Sequence, residues 1–257
     1  MICPSGPKRR IILRKRGFSF MYADIHSHFV YGVDDGCKDR EAMEKLLAAL
    51  QQDGITRLIS TAHITPGQRH FPMEDYQAHF REAEEIIRER GWDLSVYTGH
   101  EILYTDAAPR YLREGKALPL ANGEFTLVEF MPGEKYERLQ EAAQKLRNAG
   151  YIPVFAHIER YEAMNSIKHV RQMRHEFGVR IQVNCHTFAD RQPFLRRRWL
   201  GQLIREELLD YVSTDTHDMP GRDPCMEKCH QTLEREFGPE AADALCWYDA
   251  QELFENN

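Results

Sequence analysis

The sequence of 257 residues lacks any long apolar run, and its six cysteines follow no disulfide or zinc-finger spacing. A helix needs about 20 consecutive apolar residues to span a bilayer, so the missing run excludes a transmembrane protein. Cysteines without a framework are typical of reduced thiols, which predicts a cytoplasmic location. The hydrophobic fraction of 42% is ordinary for a globular protein and excludes disorder across the chain.

The sequence also has no excess of positive charge beyond its first 20 residues. The formal net charge is −6, but residues 1–20 contain six Lys or Arg and no acid, so residues 21–257 carry −12. Nucleic-acid binding needs a basic face, and an acidic body argues against it. We expect residues 1–20 to be a basic extension that is either disordered or an overlong start. The working domain is expected over residues 21–257.

Short β-rich segments alternate with amphipathic helical patterns from Met21 onward. The predicted strands are Ala23–Ile25, Leu58–Thr61, Leu94–Tyr97, Phe125–Phe130, Ile152–Phe155, Val179–Val183 and Tyr211–Ser213. Repeated strand–helix–strand units form right-handed crossovers in a mainly parallel sheet. We therefore predict an α/β protein with a closed or nearly closed barrel. An open, doubly wound sheet is the structural alternative.

Histidines and carboxylates lie at or just after the end of almost every predicted strand. These residues are His26, His28, Asp34, Asp35, His63, Glu101, Glu129, His157, Asp215 and His217. The C-terminal ends of parallel strands converge on one rim of a barrel, so these side chains are expected to face one another. In His26-x-His28 and Asp215-x-His217, the two-residue period directs both side chains of a pair to one side. Imidazole and carboxylate without thiolate suit manganese, iron or zinc, and such sites often join several ions for hydrolysis.

The motifs in combination resemble a known superfamily. DIHSH…DDG, STAH, GHEILY, LVEF, AHIERY and STDTHDMPGR are similar to motifs of the polymerase-and-histidinol-phosphatase (PHP) superfamily. Within it, they look like those of bacterial protein-tyrosine phosphatases from capsular and extracellular polysaccharide operons. The resemblance covers Met21 to the C-terminus and leaves residues 1–20 outside. It implies metal-dependent hydrolysis of phosphotyrosine in protein by a distorted seven-stranded (β/α) barrel.

The resemblance also implies a ligand set for three divalent ions, with manganese preferred over iron or zinc. His26, His28, Glu101 and Asp215 are the implied ligands of the first ion, and Glu101, Glu129 and His157 those of the second. Asp35, His63 and His217 are the implied ligands of the third. The choice of Asp35 competes with its neighbour Asp34. The implied nucleophile is a hydroxide that bridges the ions.

Two arginines follow the ligand motifs closely. Arg160 lies three residues after His157, and Arg222 lies five residues after His217. A guanidinium can bind phosphate oxygens through two parallel hydrogen bonds, so both arginines are predicted to bind the phosphoryl group. The implied substrate is the tyrosine-rich tail of a bacterial tyrosine kinase that controls polysaccharide export.

Other functions remain open from the residues alone. A small-molecule phosphatase, such as one acting on histidinol phosphate, would use the same ligands, as would a phosphodiesterase or nuclease. A kinase-binding module with a structural cluster is the non-enzymatic alternative. Cys185 and Arg191 fit the C-x5-R signature of thiol-based phosphatases, but the glycine-rich turn that would bind phosphate is missing.

Three further features are interpreted as structural. Arg196-Arg197-Arg198-Trp199 is typical of a solvated helix start, with recognition of an acidic peptide as the alternative. Cys225-x3-Cys229-His230 lies on a predicted helix without a partner pair, which argues against zinc. His100 is next to a candidate ligand and is expected to point away from the site.

Overall fold

The computed structural model describes residues 21–68 and 70–254. The predicted basic extension over residues 1–20 lies outside the described residues, so its interpretation stays a prediction. Nine strands occur in the described part: β1 (Tyr22–Ser27), β2 (Ile55–Ser60), β3 (Ala62–Ile64), β4 (Ser95–Tyr97), β5 (His100–Leu103), β6 (Phe125–Glu129), β7 (Ile152–Phe155), β8 (Arg180–Asn184) and β9 (Tyr211–Ser213).

All strand pairs are parallel, in the orders β1-β2-β4 and β3-β5-β6-β7-β8-β9. Backbone hydrogen bonds join the first strand to the segment after the last. The Asp215 N–H donates to the His26 carbonyl at 2.8 Å, and the His28 N–H donates to the Thr216 carbonyl at 2.9 Å. The sheet therefore curls back on itself, which confirms the prediction of a parallel α/β barrel-type fold.

The count of seven strands is not correct in detail, because a break in the strand, here called a division, separates the second and third predicted strands from the additional short strands β3 and β5. The first division is at Thr61, whose N–H donates to the Ser27 carbonyl at 2.8 Å. The second is at Thr98 and Gly99. A Cβ on Gly99 would lie 3.1 Å from the side chains of both Ile59 and Leu120, so a larger residue would require these neighbours to shift. After each division, the chain pairs within the second sheet.

The helices of the described residues are α1 (Arg40–Gln52), α2 (Met73–Arg90), α3 (Ala108–Arg113), α4 (Tyr136–Asn148), α5 (Ile167–Glu176), α6 (His186–Ala189), α7 (Phe194–Arg205), α8 (Met226–Phe237) and α9 (Pro239–Asp243). Short 3₁₀ or π turns cover Leu120–Asn122, Ile158–Arg160, Glu162–Met164, Ala244–Tyr248 and Asp249–Leu253.

At the start of α1, the Asp39 side chain accepts the Ala42 N–H at 2.9 Å, which satisfies a free helix donor. Helix α7 begins at Phe194, directly after Pro193 and two residues before the segment Arg196-Arg197-Arg198-Trp199 that was interpreted as a helix start. None of the described helices combines the length and apolar character that crossing a bilayer requires.

Two apolar clusters form the core. The larger lies between the sheet and the helices and includes Leu46 and Leu50 of α1. The smaller contains strand residues such as Ile25 and Leu127, with Phe254 from the C-terminal segment, and no residue of α1–α8. It therefore fills the inside of the curled sheet. The polar residues at the C-terminal strand ends lie above this filling.

Candidate metal centre

The structure brings all nine predicted ligand residues into one contiguous cluster at the C-terminal ends of the strands. His26, His63, Glu101 and Glu129 lie within β1, β3, β5 and β6, whereas His28 lies just beyond β1. The remaining residues lie in the loops that follow β1, β7 and β9: Asp35, His157, Asp215 and His217. Asp215 has a positive φ of 54°, so this residue turns away from the extended path assumed for the pair Asp215-x-His217.

The first group of side chains is buried. It contains His26, His28, Glu101 and Asp215, each at most 2% exposed, with one ligand atom from each residue within 4.8 Å of the others. His26 Nε2 lies 3.0 Å from Glu101 Oε2, and His28 Nε2 lies 3.4 Å from the same oxygen. Asp215 Oδ1 lies 3.4 Å from His26 Nε2. These residues are the set that the sequence analysis grouped around the first ion.

Three buried atoms of this group lack a hydrogen-bond partner among the described residues. They are His26 Nε2, His28 Nε2 and Glu101 Oε2, which approach one another without hydrogen-bond geometry. Leaving such an atom unsatisfied costs about 1–3 kcal/mol, and folded proteins satisfy nearly all of them. A divalent cation would accept lone pairs from all three atoms, since imidazole and carboxylate are suitable ligands. The donor set therefore fits a metal ion.

The second predicted group of ligands, Glu101, Glu129 and His157, agrees only in part with the structure. His157 Nε2 lies 2.8 Å from Glu101 Oε1 and 3.7 Å from Glu129 Oε2. His63 also approaches both carboxylates, with Nδ1 3.1 Å from Glu101 Oε2 and 3.3 Å from Glu129 Oε1. The tight group is His63, Glu101 and Glu129. His63 therefore stands between the second and third predicted sites, which the motif spacing did not indicate.

The third group contains Asp35, His63 and His217 together with His28. Asp35 Oδ1 lies 3.4 Å from both His63 Nε2 and His217 Nε2. The rings of His28 and His217 stack with their centroids 4.0 Å apart. Asp35 is 65% exposed, so this side of the cluster is the one open to solvent.

Asp34 occupies a different position from its neighbour Asp35. Its Oδ2 lies 2.8 Å from His28 Nδ1 and accepts the His63 backbone N–H at 2.9 Å. Burial raises the pKa of Asp34, but the hydrogen bond and charge of His28, together with the backbone N–H groups of Gly36 and His63, outweigh burial, and the pKa falls to about 2. A carboxylate behind an imidazole fixes the ring orientation, as in the outer shell of many metal sites. A Cβ on Gly36 would lie 2.1 Å from the His28 carbonyl oxygen, so this turn requires glycine.

The histidine pKa values shift in opposite directions within the cluster. Burial lowers the pKa of His28, but Asp34 and Glu101 raise it more strongly, to about 9. Burial also lowers the pKa of His63, and the surrounding carboxylates raise it to about 9. Burial and the charge of His28 lower the pKa of His217 to about 4. A metal ion must therefore displace protons from two of these imidazoles at neutral pH.

Both predicted arginines meet the cluster at the same carboxylate. Arg160 Nη2 donates to Asp215 Oδ2 at 2.5 Å. Arg222 Nη1 lies 3.5 Å from Asp215 Oδ1 and 3.0 Å from each ring nitrogen of His217. The two side chains are 41% and 43% exposed. Part of each guanidinium therefore stays accessible to a ligand above the cluster.

Strand β8 supplies two amide side chains that the sequence analysis missed. Gln182 Oε1 accepts the His157 backbone N–H at 2.6 Å and lies 3.5 Å from His26 Nδ1. Asn184 Nδ2 donates to Asp215 Oδ2 at 2.8 Å, and Gln182 Nε2 donates to Asn184 Oδ1 at 2.8 Å. The available signal was a pair of amides two residues apart in a strand whose other residues are Arg180, Ile181 and Val183. These amides hold three of the predicted ligand residues in place.

Two residues considered in the sequence analysis face away from the cluster. His100 Nδ1 accepts the Leu118 N–H at 2.9 Å, and its ring packs against Phe71, which confirms the expected orientation. Burial lowers the pKa of His100 to about 3. The Cys185 thiol is fully buried, lies 3.5 Å from the Met226 sulfur, and has a pKa raised by burial. A buried, protonated thiol is not a nucleophile for a protein substrate.

A cavity of about 570 Å³ adjoins the exposed side of the cluster. Its polar lining near the cluster is formed by Asp34, Asp35, His63 and Glu129. Its apolar lining is formed by Val33, Ile64, Phe71, Pro72 and Leu103. The cavity therefore places an apolar wall beside the group of histidines and carboxylates.

Fold and site together define an α/β barrel that carries a histidine–carboxylate metal centre. The chain belongs to the family described as "Capsular polysaccharide synthesis, CpsB/CapC", whose family model matches residues 22–255. It is 31% identical over 229 residues to tyrosine-protein phosphatase CpsB of Streptococcus pneumoniae, covering 86% of this chain and 93% of that protein. It is 27% identical over 222 residues to tyrosine-protein phosphatase YwqE of Bacillus subtilis, covering 84% and 85%. The family inferred from the motifs is confirmed.

Solved structures show the same fold. One structure, from work on YwqE of Bacillus subtilis and CpsB of Streptococcus pneumoniae as "unique metal-dependent tyrosine phosphatases", matches with a TM-score of 0.77 at 24% identity. That match covers 86% of this chain and 89% of the solved chain. Histidinol phosphate phosphatase from Lactococcus lactis, in complex with zinc, L-histidinol and phosphate, matches with a TM-score of 0.54 at 13% identity, covering 86% and 93%. Both likenesses concern the fold, and the second agrees with the PHP-type architecture.

Proposed function

We propose that this chain is a metal-dependent protein-tyrosine phosphatase. The observation that carries the proposal is the convergence of nine His, Asp and Glu side chains beside two arginines and a cavity with an apolar wall. The names of the curated relatives support the same activity. The complete set of nine candidate ligands, with one side open to solvent, argues against a binding module whose cluster is only structural.

The nine side chains are proposed to hold three divalent cations, with manganese as the native metal and iron or zinc as substitutes. His26, His28, Glu101 and Asp215 would hold the first, and Glu101, Glu129 and His157 the second. Asp35, His63 and His217 would hold the third. The short distances within each set support this division, and His63 is close enough to the second set to be shared. The absence of thiolate from these sets favours the same metals.

Bound cations would supply an acidified water and positive charge beside the phosphoryl group. Arg160 and Arg222 would bind the non-bridging phosphate oxygens through charge-assisted hydrogen bonds. Their shared contact with Asp215 holds both guanidinium groups near the cluster before a substrate arrives. Phosphoryl transfer depends mainly on positioning and charge stabilisation, which these groups provide.

The cavity would receive the aromatic ring of the substrate. Phe71 and Leu103 contribute to its apolar lining, whereas Glu129 and His63 line it and also belong to the cluster. A tyrosyl ring can extend along such a wall and bring its phosphate to the cluster, and a serine side chain is too short to do so. The phenolate of tyrosine, with a pKa of about 10, also leaves more readily than an alkoxide, so a strong general acid is less necessary.

We extend the proposal to the protein substrate, the tyrosine-rich tail of a bacterial tyrosine kinase that regulates capsule or exopolysaccharide synthesis. The description of the family, capsular polysaccharide synthesis, supports this substrate. A kinase uses ATP as phosphate donor, so the proposed site of action is the cytoplasm. Residues 21–257 carry −12, and the cations and arginines must therefore attract the phosphate locally.

The activity is tested by measuring phosphate release from four substrates under chelation and after manganese is restored. These substrates are a phosphotyrosyl peptide, the matched phosphoseryl peptide, histidinol phosphate and bis(p-nitrophenyl) phosphate. We expect metal-dependent turnover with clear preference for the phosphotyrosyl peptide. His63→Ala and Asp215→Ala are expected to abolish it, whereas Cys185→Ala is expected to retain it. Preference for histidinol phosphate or for the diester would contradict the proposal, as would turnover that survives complete chelation.

A further inference from the structure

The start of helix α7 forms an arginine-rich projection that the proposed function has not used. We define the arginine ridge as Arg191, Arg196 and Arg198 together with the apolar residues Phe194 and Leu195. Phe194 and Leu195 are 77% and 76% exposed, and they are the most exposed large apolar residues of the described part of the chain. Adjacent exposed apolar side chains of this kind typically mark an interaction surface.

Arg191 and Arg198 of the ridge are exposed and available for an anionic partner, whereas Arg196 is half-buried. Among residues 21–68 and 70–254, no carboxylate forms an ion pair with any of them, although Arg197 between them pairs with Glu236 at 3.0 Å. Arg196 instead stacks over Trp199, 5.2 Å from the ring centroid. Unpaired arginines are notable in a domain of net charge −12, where carboxylates are abundant. The ridge is therefore a local positive region on an acidic body.

The rest of α7 explains why the exposure is confined to its first turn. Leu200, Leu203 and Ile204 are buried and attach the helix to the core. Packing has thus fixed the helix, while Phe194 and Leu195 remain outside the packed face. The exposure of Phe194 and Leu195 is therefore not the result of a poorly packed helix.

A cleft of about 420 Å³ lies beside the ridge. Arg197 and Arg235 both approach Glu236 in its wall, at 3.0 and 3.6 Å, so two positive charges share one carboxylate. Its apolar lining is formed by Phe188, Leu200 and Phe237. The cleft can therefore hold an aromatic side chain next to guanidinium groups.

The ridge is connected to the proposed active site through the segment that follows β8. The Thr187 hydroxyl donates to Glu159 Oε1 at 3.1 Å, and the Asn184 N–H donates to the same oxygen at 3.0 Å. Glu159 immediately precedes Arg160 in the chain. Loops after parallel strands share the C-terminal rim of a barrel. The ridge and the metal centre therefore lie on the same rim.

We propose that the arginine ridge is a second binding site for a tyrosine-rich peptide, taking a phosphotyrosine or acidic residue of the same chain whose other phosphotyrosine occupies the metal centre. This inference rests on the proposed function for its choice of peptide. Each phosphotyrosine carries a charge of about −1.5 to −2 and three acceptor oxygens, which suit arginine. Its ring would pack on Phe194 and Leu195. Two sites that hold one chain raise its effective concentration at the metal centre.

The test compares a peptide with one phosphotyrosine against a peptide of equal length with three. The ridge variant is Arg191→Gln/Arg198→Gln, which removes the two exposed arginines of the ridge. The matched control is Arg88→Gln/Arg147→Gln, which removes the same charge from the last turns of α2 and α4. Those helices end at the opposite rim, where β4 and β7 begin. The manganese-loaded enzyme is used throughout, and thermal melts check that both variants fold.

We expect the ridge variant to raise the KM for the triply phosphorylated peptide about five- to tenfold, since exposed charge pairs contribute modestly and add up. Its kcat and its turnover of p-nitrophenyl phosphate are expected to stay unchanged, as is every constant of the control variant. The KM difference is expected to shrink at high salt because exposed charges are screened. A second variant, Phe194→Ser/Leu195→Ser, is also expected to raise the KM for the triply phosphorylated peptide. Its difference in KM from the wild type is expected to stay the same at high salt.

Equal KM values for the ridge and control variants would overturn the proposal. The ridge can also be tested if the wild-type protein shows no phosphatase activity. The probe is then the peptide with three phosphotyrosines in which each phosphate is replaced by a non-hydrolysable difluoromethylphosphonate, and its binding is measured. In that case the proposed activity fails, and weaker phosphonate-peptide binding by the ridge variant still supports the ridge. If the ridge variant instead loses binding to phosphatidylcholine–phosphatidylglycerol vesicles and keeps its peptide affinity, the ridge is a membrane contact and the proposal is wrong.

Discussion

Arg160 donates a hydrogen bond to Asp215 at 2.5 Å, which joins an accessible guanidinium to a carboxylate that is almost fully buried. Asp215 also receives the amide of Asn184 on the same oxygen, at 2.8 Å. The carboxylate therefore fixes Arg160 while its other oxygen faces His26 and the first group of the cluster. In the proposed enzyme, the position of the phosphate-binding group depends directly on the position of a metal ligand.

The first prediction concerns this pair. Arg160→Ala is expected to lower kcat/KM for a phosphotyrosyl peptide by about 100-fold, since loss of one charge-stabilising donor typically has an effect of this size. Arg160→Lys is expected to retain only part of the wild-type kcat/KM, because an ammonium group cannot make two parallel hydrogen bonds to phosphate. Steady-state kinetics check both. Arg138→Ala, which removes an exposed pair with Asp106, serves as control. Unchanged constants in Arg160→Ala would remove this residue from the site.

The second prediction separates the neighbours Asp34 and Asp35. Asp34→Asn removes the charge behind His28 and is expected to weaken manganese binding about 10- to 100-fold, with kcat largely recovered at saturating metal. Asp35→Asn removes a proposed ligand, and its kcat is expected to stay low at any metal concentration. Activity measured across a manganese titration distinguishes the two. The reverse pattern would exchange the roles of the two aspartates.

The third prediction concerns the apolar wall of the cavity. Leu103→Ala and Phe71→Ala are expected to lower kcat/KM for phosphotyrosyl substrates about tenfold, in line with 1–3 kcal/mol for a lost apolar contact. Turnover of a small alkyl phosphate is expected to change little, because such a substrate does not reach the wall. Phe71 also contacts His100, so the Leu103 variant is the cleaner measurement. An equal loss for both substrate classes would show that the wall does not hold the ring.

The fourth prediction follows from the raised pKa values of His28 and His63, both about 9 in the metal-free protein. Below pH 9 these imidazoles are protonated, and a cation must displace the protons. The apparent affinity for manganese is therefore expected to rise with pH between about 6.5 and 9, by up to about tenfold per pH unit for each proton released. Calorimetry in buffers of different ionisation enthalpy measures the release. A binding enthalpy independent of the buffer would contradict this prediction.

Much of the fold could be predicted from periodicity. The apolar spacing of helix α1 and the strand–helix alternation gave the element order, because local patterns reflect burial against a sheet. The divisions at Thr61 and Gly99 could not be predicted, since they depend on how one strand passes from one sheet to another. The start of α7 at Phe194 could not be predicted from apolar spacing, because Phe194 and Leu195 are exposed and break the apolar pattern.

The candidate site could be predicted for the residues whose chemistry is visible in sequence. The nine histidines and carboxylates stand out because each lies near the C-terminal end of a strand or in the loop that follows it. The sharing of His63 between two groups is a tertiary arrangement that spacing does not encode. Gln182 and Asn184 carry no charge and resemble ordinary strand residues, so their contacts with the ligand residues become apparent only in three dimensions.

The central claim is that these nine side chains bind a group of cations that the reaction requires. The most direct measurement is the metal content per chain, determined by inductively coupled plasma mass spectrometry alongside phosphotyrosine turnover during stepwise reloading of the chelated protein. The account predicts close to three manganese ions per chain at full activity, with no activity in the metal-free protein. Fewer than two ions per chain at full activity, or full turnover without metal, would contradict it.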